Sequence, residues 1–173
     1  SSDGCGIGRT RKEMIESGFN QETIKNAIKT KWAGNTVHFS EITDSTNLWA
    51  KELAREKAKH GTLVVAEQQT AGRGRLGRKW VSPAGSCVMM SLILRPEFAP
   101  QYAPMLTLVM GLSVVQAIEK VWNVKTGIKW PNDVVLFGKK VCGILTEMGM
   151  KGTGIDYVIA GIGINVNATE FPE

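Results

Sequence analysis

The chain has one nearly continuous apolar run, Cys87–Leu94, and this run constrains its fold more than any other feature. A strand that is apolar on both faces is buried on both faces, so we predict that it lies at the centre of a sheet. An apolar stretch of helical length, Pro104–Trp122, follows it. Its uncharged part, residues 105–118, is too short to span a membrane, so we expect a buried helix.

Shorter segments on either side have the periodicities of strands and helices. We predict further strands at residues 36–42, 63–67, 126–129, 134–137, 140–148 and 157–166, a helix at about 47–59, and a short helix capped by Asn20. Gly138 and Lys139 indicate a tight hairpin turn, and a second turn is predicted at residues 151–154. The expected fold is α+β, a mixed, mostly antiparallel sheet with flanking helices over residues 36–173. Residues 1–35 are expected to be an extension, disordered over 1–18, with one short helix.

The segment before the apolar strand is rich in glycine and in positive charge. It contains Gly72, Gly74 and Gly77 together with Arg73, Arg75, Arg78 and Lys79. Glycine lets backbone amides approach a ligand closely, and the guanidinium fork of arginine fits phosphate and carboxylate. The segment therefore predicts a flexible cationic loop over a small anionic ligand. A solvated basic loop that binds nothing is the alternative.

Two familiar phosphate-binding loops do not fit this segment. Its Gly-x-Gly-x-x-Gly spacing matches the dinucleotide fingerprint, which must open a helix. Residues 82–85 read Ser-Pro-Ala-Gly and leave no room for that helix. A P-loop needs Gly-Lys followed by Ser or Thr, whereas Gly77 is followed by Arg78 and Lys79 and then by Trp80.

A second polar segment places a lysine at the end of a predicted strand. Pro131 blocks further ladder pairing after Lys129, and Asn132 and Asp133 favour a turn. At such a turn Lys129 is a compact positive charge that can reach a phosphate or a carboxylate. An ordinary turn with an exposed lysine is the alternative.

Five segments, in this order, resemble signature segments of biotin protein ligases. They are Asp-Ser-Thr-Asn at 44–47, Gly-Arg-Gly-Arg-Leu-Gly-Arg-Lys-Trp at 72–80, Lys-Trp-Pro-Asn-Asp at 129–133, Lys-Val-Cys-Gly-Ile-Leu-Thr-Glu at 140–147 and Gly-Ile-Gly-Ile-Asn-Val at 161–166. The resemblance covers about residues 36–170 and implies the class II synthetase-like catalytic fold of that family. It also implies a two-step reaction, in which biotin and ATP form biotinyl-5′-AMP and the biotinyl group passes to a lysine of a biotin carboxyl carrier domain.

Carried over residue by residue, the resemblance implies a set of site residues. The implied biotin contacts are Ser45, Thr46, Asn47, Gln69, Arg73, Gly74, Arg75 and Lys129, and the implied nucleotide contacts are Gly72, Arg73, Arg75, Arg78 and Asn165. Lys129 and Arg75 are the implied catalytic residues. Their chemistry agrees with this, because joining a carboxylate to a phosphate brings two anions together and cations offset the repulsion. Ser45 or Thr46 alternatively only caps the helix that follows.

The resemblance also bounds cofactors and partners. ATP is expected as co-substrate, with Mg²⁺ for which no protein ligand is assigned. The residues before 36 are too few for the winged helix of many family members, so DNA binding is not expected. Family members continue beyond the Gly-Ile-Asn strand, so we expect a catalytic domain truncated at its C-terminus. The sequence does not decide whether the chain forms a homodimer. Two other functions stay open as well: a lipoate or octanoate ligase or transferase, and a protein that holds biotinyl-AMP without transferring it.

Net charge and cysteine content limit the partners, structural sites and compartment that we expect for the chain. The net charge is +5, concentrated in the glycine-rich loop and the N-terminal segment, which leaves nucleic acid a secondary partner. Cys5, Cys87 and Cys142 are odd in number and widely spaced, so neither a disulfide framework nor a metal site is predicted. The first residues lack the pattern of a signal peptide. Free thiols fit a reducing compartment, so we expect a cytoplasmic protein without a membrane partner.

Overall fold

A computed structural model describes residues 19–80 and 85–166 of the chain. In these residues the helices are α1 Gln21–Ala27, α2 Thr46–Arg55 and α3 Pro104–Trp122. The strands are β1 Val37–Thr43, β2 Leu63–Gln69, β3 Cys87–Leu94, β4 Gly127–Lys129, β5 Asp133–Leu136, β6 Lys139–Lys151 and β7 Gly154–Asn165. Short 3-10 turns lie at Arg75–Gly77 and Pro100–Tyr102.

All of these strands belong to one sheet. Their order is β1-β2-β3-β7-β6-β5-β4. The β1–β2 pair is parallel, and each of the other five pairs is antiparallel. The predicted α+β fold with a mixed, mostly antiparallel sheet is therefore confirmed, and β3 lies inside the sheet between β2 and β7 as its apolar sequence required.

Helices cover the two faces of the sheet. Ala50 and Ala54 of α2 pack against Val64, Ile93 and Ile159 on one face. On the other face, α3 packs against the alternate positions of the central strands in two clusters. Helix and strand residues of the first cluster are Val114, Ile118, Val134, Cys142 and Ile144. Those of the second are Leu106, Met110, Leu92, Val158 and Ala160. Side chains alternate between the faces of a strand, so the face that carries Ile159 also carries Gly161 and Gly163. That face holds the candidate site.

The two smaller helices begin as predicted, but α2 ends early. Asn20 Oδ1 accepts hydrogen bonds from the N–H groups of Glu22 and Thr23, which confirms its role as the N-cap of α1. The predicted end of α2 near residue 59 is wrong, because the helix stops at Arg55. Lys57 has a left-handed backbone at φ 69°, and the N–H groups of Lys57 and Ala58 return to the carbonyl oxygens of Ala54 and Leu53, which closes the helix. Arg95 also donates to the carbonyl oxygens of Ala54 and Ala58.

Both predicted hairpins in the second half of the chain are present, with small shifts. The β5–β6 turn is centred on Phe137 and Gly138, whose φ angles are 50° and 76°, one residue before the predicted position. Two successive residues with positive φ are what a two-residue hairpin needs. The β6–β7 turn contains Gly152 at φ 59° and lies where it was predicted.

The helix α3 has the predicted bounds, but only one of its faces is buried in the described part of the chain. Gly111, Val114 and Ile118 are buried, whereas Val109 is 51% and Val121 is 69% exposed. The prediction of a buried helix is therefore only half right. By length and composition alone the segment Pro100–Trp122, in which an 18-residue window has a mean hydropathy of 1.4, is one that could cross a membrane. Core helices of soluble proteins meet the same criterion, so this finding is weak evidence for a membrane span.

Candidate active site

An open cavity, with about 460 Å³ of empty space that includes solvent at its mouth, lies at the N-terminal end of α2, on the face of the sheet that α2 covers. Residues from α2, β2, the glycine-rich loop, the 130–140 hairpin, β6 and β7 line it. The lining includes seven of the predicted site residues, namely Ser45, Thr46, Asn47, Gln69, Arg73, Gly74 and Arg75. Segments that are widely separated in sequence therefore meet at one site.

Three glycines on β6 and β7 make room for the side chains of this site. A Cβ atom at Gly161 would collide with Asn47 Oδ1. At Gly143 and Gly163, a Cβ atom would lie 2.8 Å from the ring of Trp80. Any other residue at these positions would push Asn47 or Trp80 off the sheet, so these glycines shape the cavity. They lie in segments that carried the resemblance but were not among the predicted site residues.

The residues at the start of α2 bind one another and the end of β2. Gln69 Oε1 accepts the backbone N–H of Thr46 at 2.8 Å and its hydroxyl at 3.0 Å. Ser45 stands at the N-cap position, but its side chain makes no capping hydrogen bond. The alternative that Ser45 is there only to cap the helix is therefore not favoured, and its buried hydroxyl is placed at the cavity.

The glycine-rich loop folds back on itself and presents two arginines to the cavity. Trp80 N–H donates to the carbonyl oxygen of Gly72, and Gly74 N–H donates to that of Arg78. Arg73 and Arg75 line the cavity, and Arg75 Nη1 donates to Asn132 Oδ1 at 3.1 Å. These contacts tie the loop to the segment that carries Lys-Trp-Pro-Asn-Asp.

The lysine that lines the cavity is not the predicted one. Lys129 lies exposed on the edge strand β4, outside the lining, whereas Lys140 of β6 is part of it. Lys140 Nζ is 2.9 Å from Asp133 Oδ1 and 5.5 Å from the centre of the Trp80 ring. The signal was in the sequence, because a tight turn at 137–138 brings residue 140 back beside 133–135. Lys140 was nevertheless not among the predicted site residues.

Three predicted nucleotide contacts also lie outside the cavity lining. Gly72 and Arg78 hold the loop together through backbone hydrogen bonds. Asn165 accepts a hydrogen bond from Cys87 Sγ at 3.1 Å and donates to the carbonyl oxygen of Lys140 at 3.4 Å. Asn165 therefore supports the backbone of the cavity lysine in this structure, and its contact with a nucleotide stays a prediction.

The charges that line the cavity are positive. Arg73, Arg75 and Lys140 line it, and the described residues place no carboxylate in its lining. Within the described ranges, no three His, Cys, Asp or Glu side chains converge on a metal site. The site is therefore built to hold an anion through protein cations.

The two cysteines of the described part are poor nucleophiles. Burial raises the pKa of Cys142 to about 12. Burial also raises the pKa of Cys87, although a hydrogen bond with Ser86 opposes the shift. Neither is a thiolate near neutral pH, and the thiolate is the reactive form. This argues against the alternative of an acyl transferase that uses either of them as its nucleophile.

A larger, mostly apolar and open cavity, with about 1110 Å³ of empty space that includes solvent at its mouth, adjoins the first one. The two share Arg75, Asn132, Ile144 and Leu145. The start of α3 and the exposed indole of Trp130 form much of its wall. Beside it, the last part of β6 beyond Gly143 pairs with β7 on one side and no longer with β5 on the other.

The comparisons with known proteins agree with this geometry. The profile of the biotin/lipoate A/B protein ligase family matches residues 39–165. The bifunctional ligase/repressor BirA of Bacillus subtilis is 47% identical over 90% of this chain and 48% of its own length. The biotin–[acetyl-CoA-carboxylase] ligase of Paracoccus denitrificans is 43% identical over 72% of this chain and 52% of its own.

The fold agrees as well. The structure of the Aquifex aeolicus biotin protein ligase in complex with biotin and ATP is 41% identical and superposes with a TM-score of 0.67, over 80% of this chain and 56% of that one. The chain spans about half the length of the curated relatives it matches. Profile, identity and fold point the same way, and the chain belongs to the biotin/lipoate A/B protein ligase family, with the catalytic fold of the biotin protein ligases.

Proposed function

We propose that the chain is the catalytic part of a biotin–[biotin carboxyl carrier protein] ligase. It would join biotin to ATP as biotinyl-5′-AMP and transfer the biotinyl group to one lysine of a carrier domain. One observation carries the proposal: a single cavity brings neutral hydrogen-bonding side chains together with three cations. Biotin has the matching layout, with a polar ureido ring at one end and a carboxylate at the other.

The ring end of biotin would lie over the sheet. Trp80 and Met89 supply apolar walls, and the start of α2 supplies hydroxyl and amide groups. The indole N–H of Trp80 is buried and finds no acceptor among the described residues. A buried donor without a partner costs free energy, so a ligand that offers it an acceptor gains affinity. Small-ligand sites combine apolar walls with a few placed polar groups in this way.

The carboxylate end would point to Arg73, Arg75 and Lys140. In the first step, a carboxylate oxygen of biotin attacks the α-phosphorus of ATP, the new P–O bond forms, and pyrophosphate leaves. Negative charge builds up on the phosphoryl oxygens, and fixed cations that face it stabilise the transition state. Asp133 and Asn132 hold Lys140 and Arg75 in place. We therefore assign to Lys140 the role that the sequence suggested for Lys129.

The glycine-rich loop would then keep water away from the reactive adenylate. A loop that closes over an intermediate prevents its hydrolysis. In the second step, the neutral amine of the carrier lysine attacks the acyl carbon, an amide forms, and AMP leaves. The open edge of β6 beside the second cavity is where we place the carrier domain, since an extended segment can pair with a free strand edge. A second copy of the chain pairing there would form a homodimer and would compete with the carrier.

ATP is the co-substrate of this proposal, in line with the ATP present in the Aquifex aeolicus complex. Magnesium is expected with the triphosphate, but the cavity offers cations and amides rather than the oxygen ligands that Mg²⁺ prefers. No step is assigned to the metal for that reason. The cytoplasm, where ATP and carboxylases meet, is the compartment we propose.

Titration calorimetry with biotin, lipoate and octanoate tests the ligand class. A site built for hydrogen bonds to a ureido group rejects analogues that lack the group by about 10⁴-fold, because its buried polar groups are left unpaired. We expect a measurable Kd for biotin and none for the two fatty acids at the same concentrations. Equal affinities would contradict the proposal and favour a lipoate or octanoate ligase.

A further inference from the structure

Behind the cavity, a carboxylate holds the asparagine that lines it. Glu147 of β6 lies outside the cavity lining. One of its oxygens accepts from Lys51 Nζ at 2.6 Å, and the other accepts from Asn47 Nδ2 at 2.8 Å. Burial alone would raise the pKa of Glu147, but hydrogen bonds from Lys51 and Asn47 and the charges of Lys51 and Arg73 bring it below its ordinary value. The carboxylate is therefore ionised near neutral pH and can only accept hydrogen bonds.

The ionised carboxylate determines which way the amide of Asn47 is turned. Asn47 Nδ2 donates to Glu147 and also, at 3.3 Å, to the carbonyl oxygen of Leu145. Exchanging the oxygen and nitrogen would set Oδ1 against two acceptors with no hydrogen between them. Oδ1 must therefore face the other way, where it lies 2.6 Å from Ser91 Oγ. Gly161, which has no side chain, leaves the room for this oxygen.

The hydroxyl of Ser91 links Asn47 to Thr46. A hydroxyl has one hydrogen, and Ser91 Oγ lies close to both Asn47 Oδ1 and, at 2.8 Å, Thr46 Oγ1. Because Asn47 Oδ1 carries no hydrogen, Ser91 must donate to it. The same Ser91 hydroxyl also lies within donor distance of Thr46 Oγ1, and Thr46 gives its own hydroxyl hydrogen to Gln69 Oε1.

The last side chain of this hydrogen-bonded series is Gln69, which lines the cavity. Gln69 Oε1 is held by the backbone N–H of Thr46, so the NH₂ group of Gln69 faces the glycine-rich loop near Gly72. Asn47, Thr46 and Gln69 all line the cavity, whereas Ser91 does not and Glu147 lines only the adjoining second cavity. Groups outside the first cavity therefore orient Asn47 and contact the hydroxyl of Thr46.

We propose that Glu147 is a positioning residue for the ligand of this cavity. By orienting Asn47, it orients the hydrogen-bonding groups that Asn47 and, through Ser91, Thr46 present to the ureido group of biotin. The inference rests on the proposed function for the identity of the ligand. A ureido group has one carbonyl acceptor and two N–H donors, so one reversed side chain turns a matched hydrogen bond into two groups of the same kind facing each other.

The variant Glu147→Gln tests this orientation with almost no change of shape. Glutamine has one oxygen for two donors, and the ammonium of Lys51 binds it more strongly than the neutral amide of Asn47 does. The glutamine NH₂ then faces Asn47, whose amide turns over. We expect the Kd for biotin to rise about 10- to 100-fold, the size of one lost hydrogen bond to a charged group.

The variant Lys51→Met supplies both the control and a rescue. Alone, it breaks the ion pair but leaves the carboxylate on Asn47, so we expect the Kd for biotin to stay within about threefold of the unmodified chain. Added to Glu147→Gln, it removes the competing donor, and the glutamine oxygen returns to Asn47. We expect the double variant to bind biotin within about threefold of Lys51→Met.

Titration calorimetry of the full chain and the three variants, with thermal unfolding followed by circular dichroism, separates the outcomes. If Glu147 served only as half of an ion pair, Lys51→Met would weaken binding as much as Glu147→Gln and the double variant would recover nothing. That pattern overturns the inference, as does an unchanged Kd in Glu147→Gln while the unmodified chain binds biotin. An unmodified chain that does not bind biotin overturns the proposed function and this inference with it.

A second variant covers the case in which Glu147→Gln is too unstable to titrate. Ser91→Ala removes the hydroxyl that links Asn47 to Thr46, and Ser91 itself does not line the cavity. We expect it to weaken biotin binding by about tenfold or more, and an unchanged Kd would overturn the inference.

Discussion

Replacing Lys140 by glutamine is expected to slow the formation of the adenylate far more than it weakens the binding of biotin. Lys140 is the lysine of the cavity lining, and it stands with Arg73 and Arg75 where the two anions must meet. Glutamine keeps most of the length of the side chain and a hydrogen-bond donor but removes the charge. The change therefore isolates the electrostatic contribution of this residue to the chemical step.

The magnitude follows from the position of the side chain. Removing one donor that faces charge developing in a transition state slows a reaction by about 10² to 10³-fold. The side chain of Lys140 is 44% exposed, so water screens part of its charge and the lower limit applies. Asp133 would also lose its cation 2.9 Å away and add uncompensated negative charge near the phosphates. We expect a decrease of about 10²-fold or slightly more.

The assay is the biotin-dependent exchange of labelled pyrophosphate into ATP, with the Kd for biotin measured in parallel. Lys129→Gln is the matched control, since it makes the same chemical change on an exposed strand outside the cavity. We expect its exchange rate to stay within about twofold of the unmodified chain. Equal rates in both variants would refute the role of Lys140, and a slow Lys129→Gln beside a normal Lys140→Gln would return that role to Lys129.

Three further predictions test the supports of the site. In Gly161→Ala the new Cβ collides with Asn47 Oδ1, so titration should show biotin binding weakened by about tenfold or more, whereas Gly154→Ala, whose Cβ approaches other atoms no closer than 3.9 Å, should bind normally. Arg95→Met removes the donors to the carbonyl oxygens of Ala54 and Ala58, so denaturant unfolding should show a loss of about 2 kcal/mol in the free energy of unfolding, and an unchanged value would show that α2 needs no such cap. Trypsin should cut after Arg73 and Arg75 in the free chain and more slowly with biotin and ATP together, since ordering a loop costs about 1 kcal/mol per residue, and equal cleavage with and without both ligands would identify a solvated basic loop.

Elements whose cause is local were predicted well from the sequence. The helix α3 and the strand β3 have the predicted bounds because their apolar runs and the turns that flank them are contained in the segments themselves. The end of α2 was missed because the left-handed residue that closes the helix is Lys57 and not the glycine that usually marks such a position. No periodicity within the helix contains that information.

The candidate site also contains residues that the sequence revealed and residues that it did not. The motifs at the start of α2 and in the glycine-rich loop were recognised because their residues are adjacent in sequence, and residues of both line the cavity, while their contacts with a ligand stay predictions. Glu147 was not predicted, since its hydrogen bond to Asn47 joins residues that are 100 positions apart. Lys140 was not predicted as a site residue because its position depends on the hairpin that returns it beside Asp133 and Val135. Lys129 pairs with Asp133, and Asp133 pairs with Gly143, so Lys129 lies on the same face of the sheet as the cavity and its catalytic role stays a prediction.

The central claim is that this cavity joins biotin to AMP. Native mass spectrometry of the chain after incubation with biotin, ATP and Mg²⁺ tests it most directly, because it identifies the bound species by mass. We expect a complex of one chain with one biotinyl-5′-AMP, and we expect this species to be strongly reduced in Lys140→Gln at the same incubation time. A chain that carries biotin or ATP but never the adenylate would contradict the account and identify a protein that binds biotin without activating it.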